Sequence, residues 1–457
     1  MYESYSYQIV KNNLEIAFNF KIEPDIKFNP KIYLTNVKQS DIERLKKESL
    51  DNLVFNLGLI EMISYWKATC SREIKILAGS LDQKQIKWWQ DLLIKGLGQF
   101  FYENKINFLK PGFLKITAIG PKINRSDLLI KQKAGEEYLV PIGGGKDSTL
   151  AIETLKEAKK NIRCFSLNPT PAALKIMKKA GCYQPIIAKR KIDQKLLELN
   201  RQGFLNGHTP FSAYLAFLGL LAATIFKQKY IVPANEKSSN EGNISYLKKT
   251  VNHQWSKSFE FEEKFRQYAK EYLTKNIEYF SFLRPLYEIQ IAKIFSRQAK
   301  YFSSFISCNE AYKTASGVKK PIGNWCGNCS KCLFVYAILY PFLTEKQLLN
   351  IFKTDIFANR KLLPTMRQLV GEKGFKPFEC VGTKKESLVA FYLSLKKNQK
   401  LTDKELPFLL SYFKKNILPK QANLEKTSKE ILLQWGREHH LPPTLAKILK
   451  NKLSKKF

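Results

Sequence analysis

The chain has 457 residues, a length of about three domains, and carries 76 Lys+Arg against 40 Asp+Glu for a net charge of +36. Hydrophobic residues make up 44% and aromatics 13%, which excludes a mostly disordered chain and allows a core that does not depend on disulfides or metal. The charge favours anionic partners such as nucleotides, nucleic acid or a membrane surface, yet only 12 of the basic residues are Arg and the lysines are spread along the chain, which reads as a solvated surface more than a nucleic-acid footprint.

In chain order, residues 1–130 mix alternating strands, such as Leu14-Glu15-Ile16-Ala17-Phe18, with helical stretches near 53–67 and 84–97. This predicts an α+β N-terminal domain. Residues 131–345 change pattern. Strands at 138–142, 162–167, 186–188 and 230–233 alternate with helices at 148–160, 172–180 and 211–226. That alternation predicts an α/β fold with a parallel sheet and crossover helices. Residues 346–457 read as a helical C-terminal region punctuated by prolines. The uncharged segment 211–226 would span about 24 Å as a helix, short of the roughly 30 Å of a bilayer core, so it predicts a buried helix and no membrane span. The first residues, Met1-Tyr2-Glu3-Ser4-Tyr5, lack the basic and apolar regions of a signal peptide. A reducing cytoplasm is the expected location, where clustered thiols serve metal or redox chemistry more often than disulfides.

Gly143-Gly144-Gly145-Lys146-Asp147-Ser148 lies between a predicted strand and a predicted helix. Glycines allow a sharp turn whose N–H groups approach a ligand closely, and the helix start points its positive end at the same spot. Lys146 brings a charge, Ser148 a hydroxyl, and Asp147 a carboxylate able to hold Mg²⁺ on a polyphosphate. The spacing is neither Walker A nor the dinucleotide fingerprint.

Ligands of open parallel sheets sit beyond the carboxyl ends of the strands. Asn235 and Glu236 follow a strand directly, and Glu236 is a candidate base or metal carboxylate. His208 and His253 fall in polar loops and are candidate proton carriers. Around His253, Asn252, Gln254, Ser256 and Lys257 can hydrogen-bond an anion. Lys257 and Ser258 open a predicted helix suited to phosphate, and Arg284 precedes Pro285 where a guanidinium can clamp a phosphate or carboxylate. Cys326, Cys329 and Cys332 form a CxxCxxC run, and Cys308 is the nearest candidate for a fourth ligand of zinc. An iron–sulfur cluster or reactive thiols are the other readings, with Cys308 as a candidate catalytic thiol. Cys70, Cys164, Cys182 and Cys380 read as core or incidental residues.

The glycine loop resembles the SGG-x-DS loop of the PP-loop ATP-pyrophosphatase superfamily, with Gly143 standing where Ser is usual. Further stretches resemble its UDP-N-acetylmuramoyl-L-alanyl-L-glutamate epimerase family. They are Asn206-Gly207-His208-Thr209-Pro210, Asn235-Glu236-Lys237-Ser238, Asn252 to Ser258, and Trp325-Cys326-Gly327-Asn328-Cys329-Ser330-Lys331-Cys332. The resemblance covers about residues 140–340. It implies a doubly wound sheet of PP-loop type over 131–345. It also implies ATP and Mg²⁺ held by Gly143, Gly144, Gly145, Lys146, Asp147 and Ser148, with AMP and pyrophosphate released. Proton transfer falls to His253, His208 or Glu236, with Asp147 at the metal. Substrate contacts fall to Asn235, Asn252, Lys257 and Arg284, with residues 1–130 also available to the UDP-N-acetylmuramoyl dipeptide. A structural Zn²⁺ at the four cysteines is implied by a similar arrangement in the PP-loop 7-cyano-7-deazaguanine synthase. Two other readings stand beside this one: a PP-loop tRNA-modifying or thiolating enzyme, and a non-enzymatic nucleotide- or nucleic-acid-binding protein.

Overall fold

The computed structural model describes residues 1–121, 135–312 and 323–455. The expected boundary at 130–131 lies outside them. Leu14, Ile16, Phe18 and Phe20 alternate with more exposed neighbours, and a period of two sets them on one buried strand face. That strand, β2 (Asn13–Ile22), forms a hairpin with β1 (Tyr2–Val10). Lys11 and Asn12 turn the chain with φ of 49° and 58°, the left-handed pair that matches strand twist. β3 (Ile26–Phe28) and β4 (Lys31–Thr35) pair antiparallel with β2, while β5 (Glu73–Ile76) and β6 (Lys115–Ala118) add parallel strands beside β1.

The alternating region supplies β7 (Gly135–Pro141), β8 (Ile162–Leu167), β9 (Ile186–Lys191), β10 (Gln228–Ile231) and β13 (Glu278–Tyr279). They form a parallel segment in the order β13-β10-β7-β8-β9. A two-stranded hairpin, β11 (Ile244–Tyr246) and β12 (Lys249–Val251), stands apart. The parallel segment does not end at β9. Its edge pairs antiparallel with β4, so among the described residues one mixed sheet of eleven strands runs through both halves. The parallel pairing expected for the alternating region holds for its own strands, but the sheet continues into the N-terminal strands, so the fold is α/β with a mixed sheet. An uncovered edge exposes a row of unpaired N–H and C=O groups, and β4 satisfies that row.

Alternate residues of the parallel strands face two different cores. Tyr138, Val140 and Cys164 join the C-terminal helices, among them Glu288–Phe295, Ser330–Leu339 and Lys384–Lys397. Leu139 and Phe165 join the N-terminal helix Lys47–Trp66 and the apolar helix Phe211–Ile225. The central strands β7 and β8 are thus buried on both faces, over 138–140 and 164–166. No helix among the described residues is long and apolar enough to cross a membrane, and Phe211–Ile225 is a core element. Every described element after Cys332 is helical. Of the cysteines read as core or incidental, Cys164 is buried in the core and Cys182 packs against it; the two are joined by a disulfide, with Cα atoms 6.2 Å apart.

Candidate active site

The glycine loop leaves the carboxyl end of β7. Gly145 is extended (φ −96°, ψ 176°) and caps the helix Lys146–Glu157, which starts two residues earlier than the sequence suggested. Lys146, Asp147 and Ser148 therefore occupy its first turn rather than the loop. Gly144, at φ +94°, needs the left-handed region and lies close to Ala172 and Ala173, at the start of the helix Pro171–Lys179. Ile306 N–H donates to the Gly144 carbonyl at 2.9 Å, which straps residues 306–308 over the loop.

A cavity of about 510 Å³ opens beyond the carboxyl ends of β7, β8, β10 and β13. Gly143, Gly145, Asp147 and Ser148 line one side, Asn235 and Lys257 another, and Cys308, Lys331 and Cys380 a third. This is where a parallel sheet places a ligand. Its size suits a nucleotide-scale molecule.

Behind the cavity lies a buried charge cluster. Lys146 is 1% exposed and pairs with Asp147 at 2.5 Å and, closer still, with Glu288. Its ammonium is thus engaged by Asp147, which lines the cavity, and by Glu288, while Lys146 itself is not a lining residue. Glu288 also lies 3.8 Å from Lys331. Burial opposes its ionisation, but Lys146 and Lys331 hold its carboxyl below the ordinary range. Asp147 is pushed up by burial and by Glu288. Glu236 sits 3% exposed in an isolated parallel bridge with Leu283, just past the end of β10. Burial, then Glu288, raises its carboxyl to about 7, a value suited to giving and taking protons at neutral pH. Lys257 donates to Cys380 Sγ at 3.1 Å. Burial works against the Lys257 charge, but Cys380 and Glu236 hold it in place.

Other sequence candidates are placed differently. Arg284 is 1% exposed, pairs with Glu262 at 3.4 Å, and donates to Glu236 O, Ser239 Oγ, Ser281 Oγ and Lys257 O. Its guanidinium is consumed by the protein and sets the Glu236 and Lys257 loops, not a substrate anion. Asn252 donates to Ser239 O and accepts from Gln254 N, both at 2.8 Å, and holds its own loop. Asn235 donates to Ser281 Oγ at 3.0 Å while lining the cavity. The His208 and His253 rings lie 4.5 Å apart at a tilt of 52°, and, like Glu236, neither is among the cavity's lining residues. Burial, then His253, drives His208 well below its usual value. Burial, then Lys257, lowers His253 to about 3. Both shifts favour the neutral ring.

Cys308, Cys326, Cys329 and Cys332 come together, all four sulfurs within 4.8 Å of one another. Zinc–thiolate bonds of about 2.3 Å in a tetrahedron set sulfurs about 3.8 Å apart. The Cys308–Cys329 and Cys326–Cys332 spacings of 3.9 Å and 3.6 Å match that edge. Gly327, at φ +68°, turns the chain between ligands. Cys329 Sγ accepts from Cys332 N–H at 3.4 Å and caps the helix Ser330–Leu339.

Cys380, Glu288 and Lys331 escape sequence reasoning. Lys331 lies inside the CxxCxxC run but carries no signal of its own, and Glu288 has no spacing to mark it. Their partners lie in distant segments.

Comparison with known proteins bears on this arrangement. The MurL N-terminal domain family matches residues 1–282 and the MurL C-terminal domain family residues 304–426. A UDP-N-acetyl-alpha-D-muramoyl-L-alanyl-L-glutamate epimerase of Micromonospora sp. is 31% identical over 86% of this chain and 84% of its own length. The Xanthomonas oryzae pv. oryzae protein of the same name is 32% identical over 85% and 83%, and that of Salinispora tropica 32% over 74% and 72%. Such similarity over most of both chains places this protein among the epimerases, an isomerase class of enzyme. More narrowly, the chain belongs to the MurL family.

Proposed function

We propose that this epimerase inverts the terminal L-Glu of UDP-N-acetylmuramoyl-L-Ala-L-Glu to D-Glu, in peptidoglycan precursor synthesis in the cytoplasm, at the expense of ATP. The carrying observation is the cavity at the strand ends, whose rim brings the glycine loop, Asp147 and Ser148 together with Asn235, Lys257 and Lys331. In this reading the parallel strands form the PP-loop unit. ATP lies with its phosphates on Gly143–Gly145 and the helix start at Lys146, and Asp147 would hold Mg²⁺.

The chemistry explains why a nucleotide is needed. Removing the Cα proton of an ionised glutamyl α-carboxylate would place a second negative charge beside the first. If the carboxylate oxygen first attacks the α-phosphorus of ATP, pyrophosphate leaves and the charge is neutralised. The activated acyl group then stabilises an enolate. A base removes the Cα proton, an acid returns one to the opposite face, and water releases AMP. Glu236, set near neutrality by its surroundings, is the candidate proton carrier. A zinc ion held by Cys308, Cys326, Cys329 and Cys332 is structural in this reading, tying residue 308 to the helix Ser330–Leu339.

The test incubates the protein with ATP and the UDP-linked dipeptide in D₂O. Substrate-dependent AMP and pyrophosphate, with deuterium at the glutamate Cα, are expected. Asp147→Ala should lower AMP formation by on the order of 100-fold or more. D-Glu product formed equally well without ATP would refute the proposal.

A further inference from the structure

Two thiols line the cavity, and they differ in what surrounds them. Cys308 belongs to the four-sulfur cluster. Cys380 does not. Its sulfur accepts from the Lys257 ammonium at 3.1 Å, and Lys257 lines the same cavity. Its backbone is pinned as well: the Lys331 ammonium donates to the Cys380 carbonyl, and the neighbouring Glu379 carboxylate accepts from Lys331 N–H at 2.9 Å. Lys331, only 5% exposed, thus carries the thiol's loop on the same helix start that Cys329 caps. A thiol against a buried ammonium is an ion pair in waiting. The thiolate is the reactive form of cysteine, and an adjacent lysine favours it. The lysine of the glycine loop is turned to Glu288 instead, which Lys331 also approaches at 3.8 Å.

We propose that Cys380 is a catalytic residue of the epimerisation, the group that exchanges the glutamyl Cα proton on one face of the activated substrate. The proposal rests on the activation reading above. In the forward step the Cα–H bond breaks and an S–H bond forms at Cys380 Sγ. The electron pair passes into the carbonyl of the activated acyl group. A proton from a separate acid, for which Glu236 is the candidate, then closes the opposite face. Cys380 has gained a proton and the acid has lost one, and both reset by exchange with water in the open cavity. Lys257 holds the thiolate before transfer and stays charged after it.

The test uses the full chain and its Cys380→Ala variant, with ATP and the UDP-linked dipeptide in D₂O. Two signals are read separately: substrate-dependent exchange of labelled pyrophosphate into ATP, and deuterium at the glutamate Cα. For the variant, pyrophosphate exchange should stay within about threefold of native while deuteration falls by about 100-fold or more. Deuteration within about threefold of native overturns the role of Cys380. If the variant loses both signals, native protein treated with iodoacetamide decides. Alkylation mapped to Cys380, blocked by substrate, that stops deuteration and spares pyrophosphate exchange supports the proposal. Alkylation that leaves deuteration intact, or stops both, overturns it. Native protein that shows deuteration without ATP sinks the activation reading instead, and the deuteration of the variant still decides the thiol's part.

Discussion

A Cβ built on Gly143 meets nothing within 4 Å, whereas one on Gly144 would lie 2.9 Å from Ala173 N and 3.1 Å from Ala172 Cβ, at φ +94°. Two adjacent glycines therefore have opposite tolerance. Gly143→Ser should shift stability by no more than about 0.5 kcal/mol and retain AMP formation. Gly144→Ala should cost about 1–3 kcal/mol and lose nucleotide turnover; urea melts and an AMP assay separate the two. Glu236 gives a second prediction, with its sign set by burial. Its carboxyl is raised from 4.5 to about 7 in the fold. Between those values the folded chain binds a proton that the unfolded chain releases. Stability from this group is present below about pH 4.5 and lost as pH rises through about 7. Glu236→Gln should therefore stabilise the protein at pH 8 by about 1–3 kcal/mol and gain nothing at pH 4.5, while formation of the D-Glu product is lost. Melts at the two pH values check the first statement, and equal gains at both would refute it. Residues of this kind show what sequence makes legible. Gly143–Ser148, Asn235 and the four thiols announce themselves through local spacing or a strand-end position. Cys380 sits in Pro377-Phe378-Glu379-Cys380-Val381-Gly382 with no spacing to mark it, and its partner Lys257 is 123 residues away. Buried charge pairing is a tertiary property. It exposes Cys380 and Glu288 only once the chain is folded, and it also engages Lys146 and Arg284 in ion pairs within the protein.

The elements follow the periodicities closely where one period dominates. The helix Lys47–Trp66 and the strands β2, β7 and β8 are readable from apolar spacing. The start of Lys146–Glu157 is not, because a glycine run reads as loop until Gly145 is seen to be an extended cap. Nor is the hairpin of β11 and β12, whose polar residues carry weak alternation. The thiol cluster acts at this scale. Residues 306–308 are held at one end by Ile306 N–H on Gly144 O and at the other by Cys308 among the sulfurs. A metal there would fix the strap, the cap of Ser330–Leu339 and hence the glycine loop as one unit. One zinc per chain is expected by elemental analysis. Chelation or Cys326→Ser should lower Tm by about 5 °C and raise KM for ATP by about 10-fold. A metal-free protein of unchanged Tm and KM would refute the coupling.

At the scale of the whole molecule, the sheet crosses from the N-terminal strands into the parallel segment without a break, through β4 and β9. A buried ion pair sits near that seam. Arg190, within β9 and opposite Ile32 of β4, donates to both oxygens of Glu61 at 2.8–3.0 Å and to Ser64 Oγ at 2.8 Å, with its guanidinium 4.8 Å from the Tyr214 ring. Glu61 is 0% exposed, and it lies on the helix Lys47–Trp66, which also packs against Phe211–Ile225. Two charges removed from water together are tolerable when their hydrogen bonds are complete. One left alone is not. Arg190→Ala should therefore destabilise the protein by about 3–5 kcal/mol, whereas replacing both partners by apolar residues of similar volume should recover most of that loss. The two cores share strands β7 and β8, so the transition should remain single: near-ultraviolet signals from the tryptophans of both halves ought to melt together in urea. Separate midpoints for the N-terminal Trp66 and Trp89 and the C-terminal Trp325 would mean that the shared sheet does not couple the halves, and that the N-terminal residues fold on their own after all.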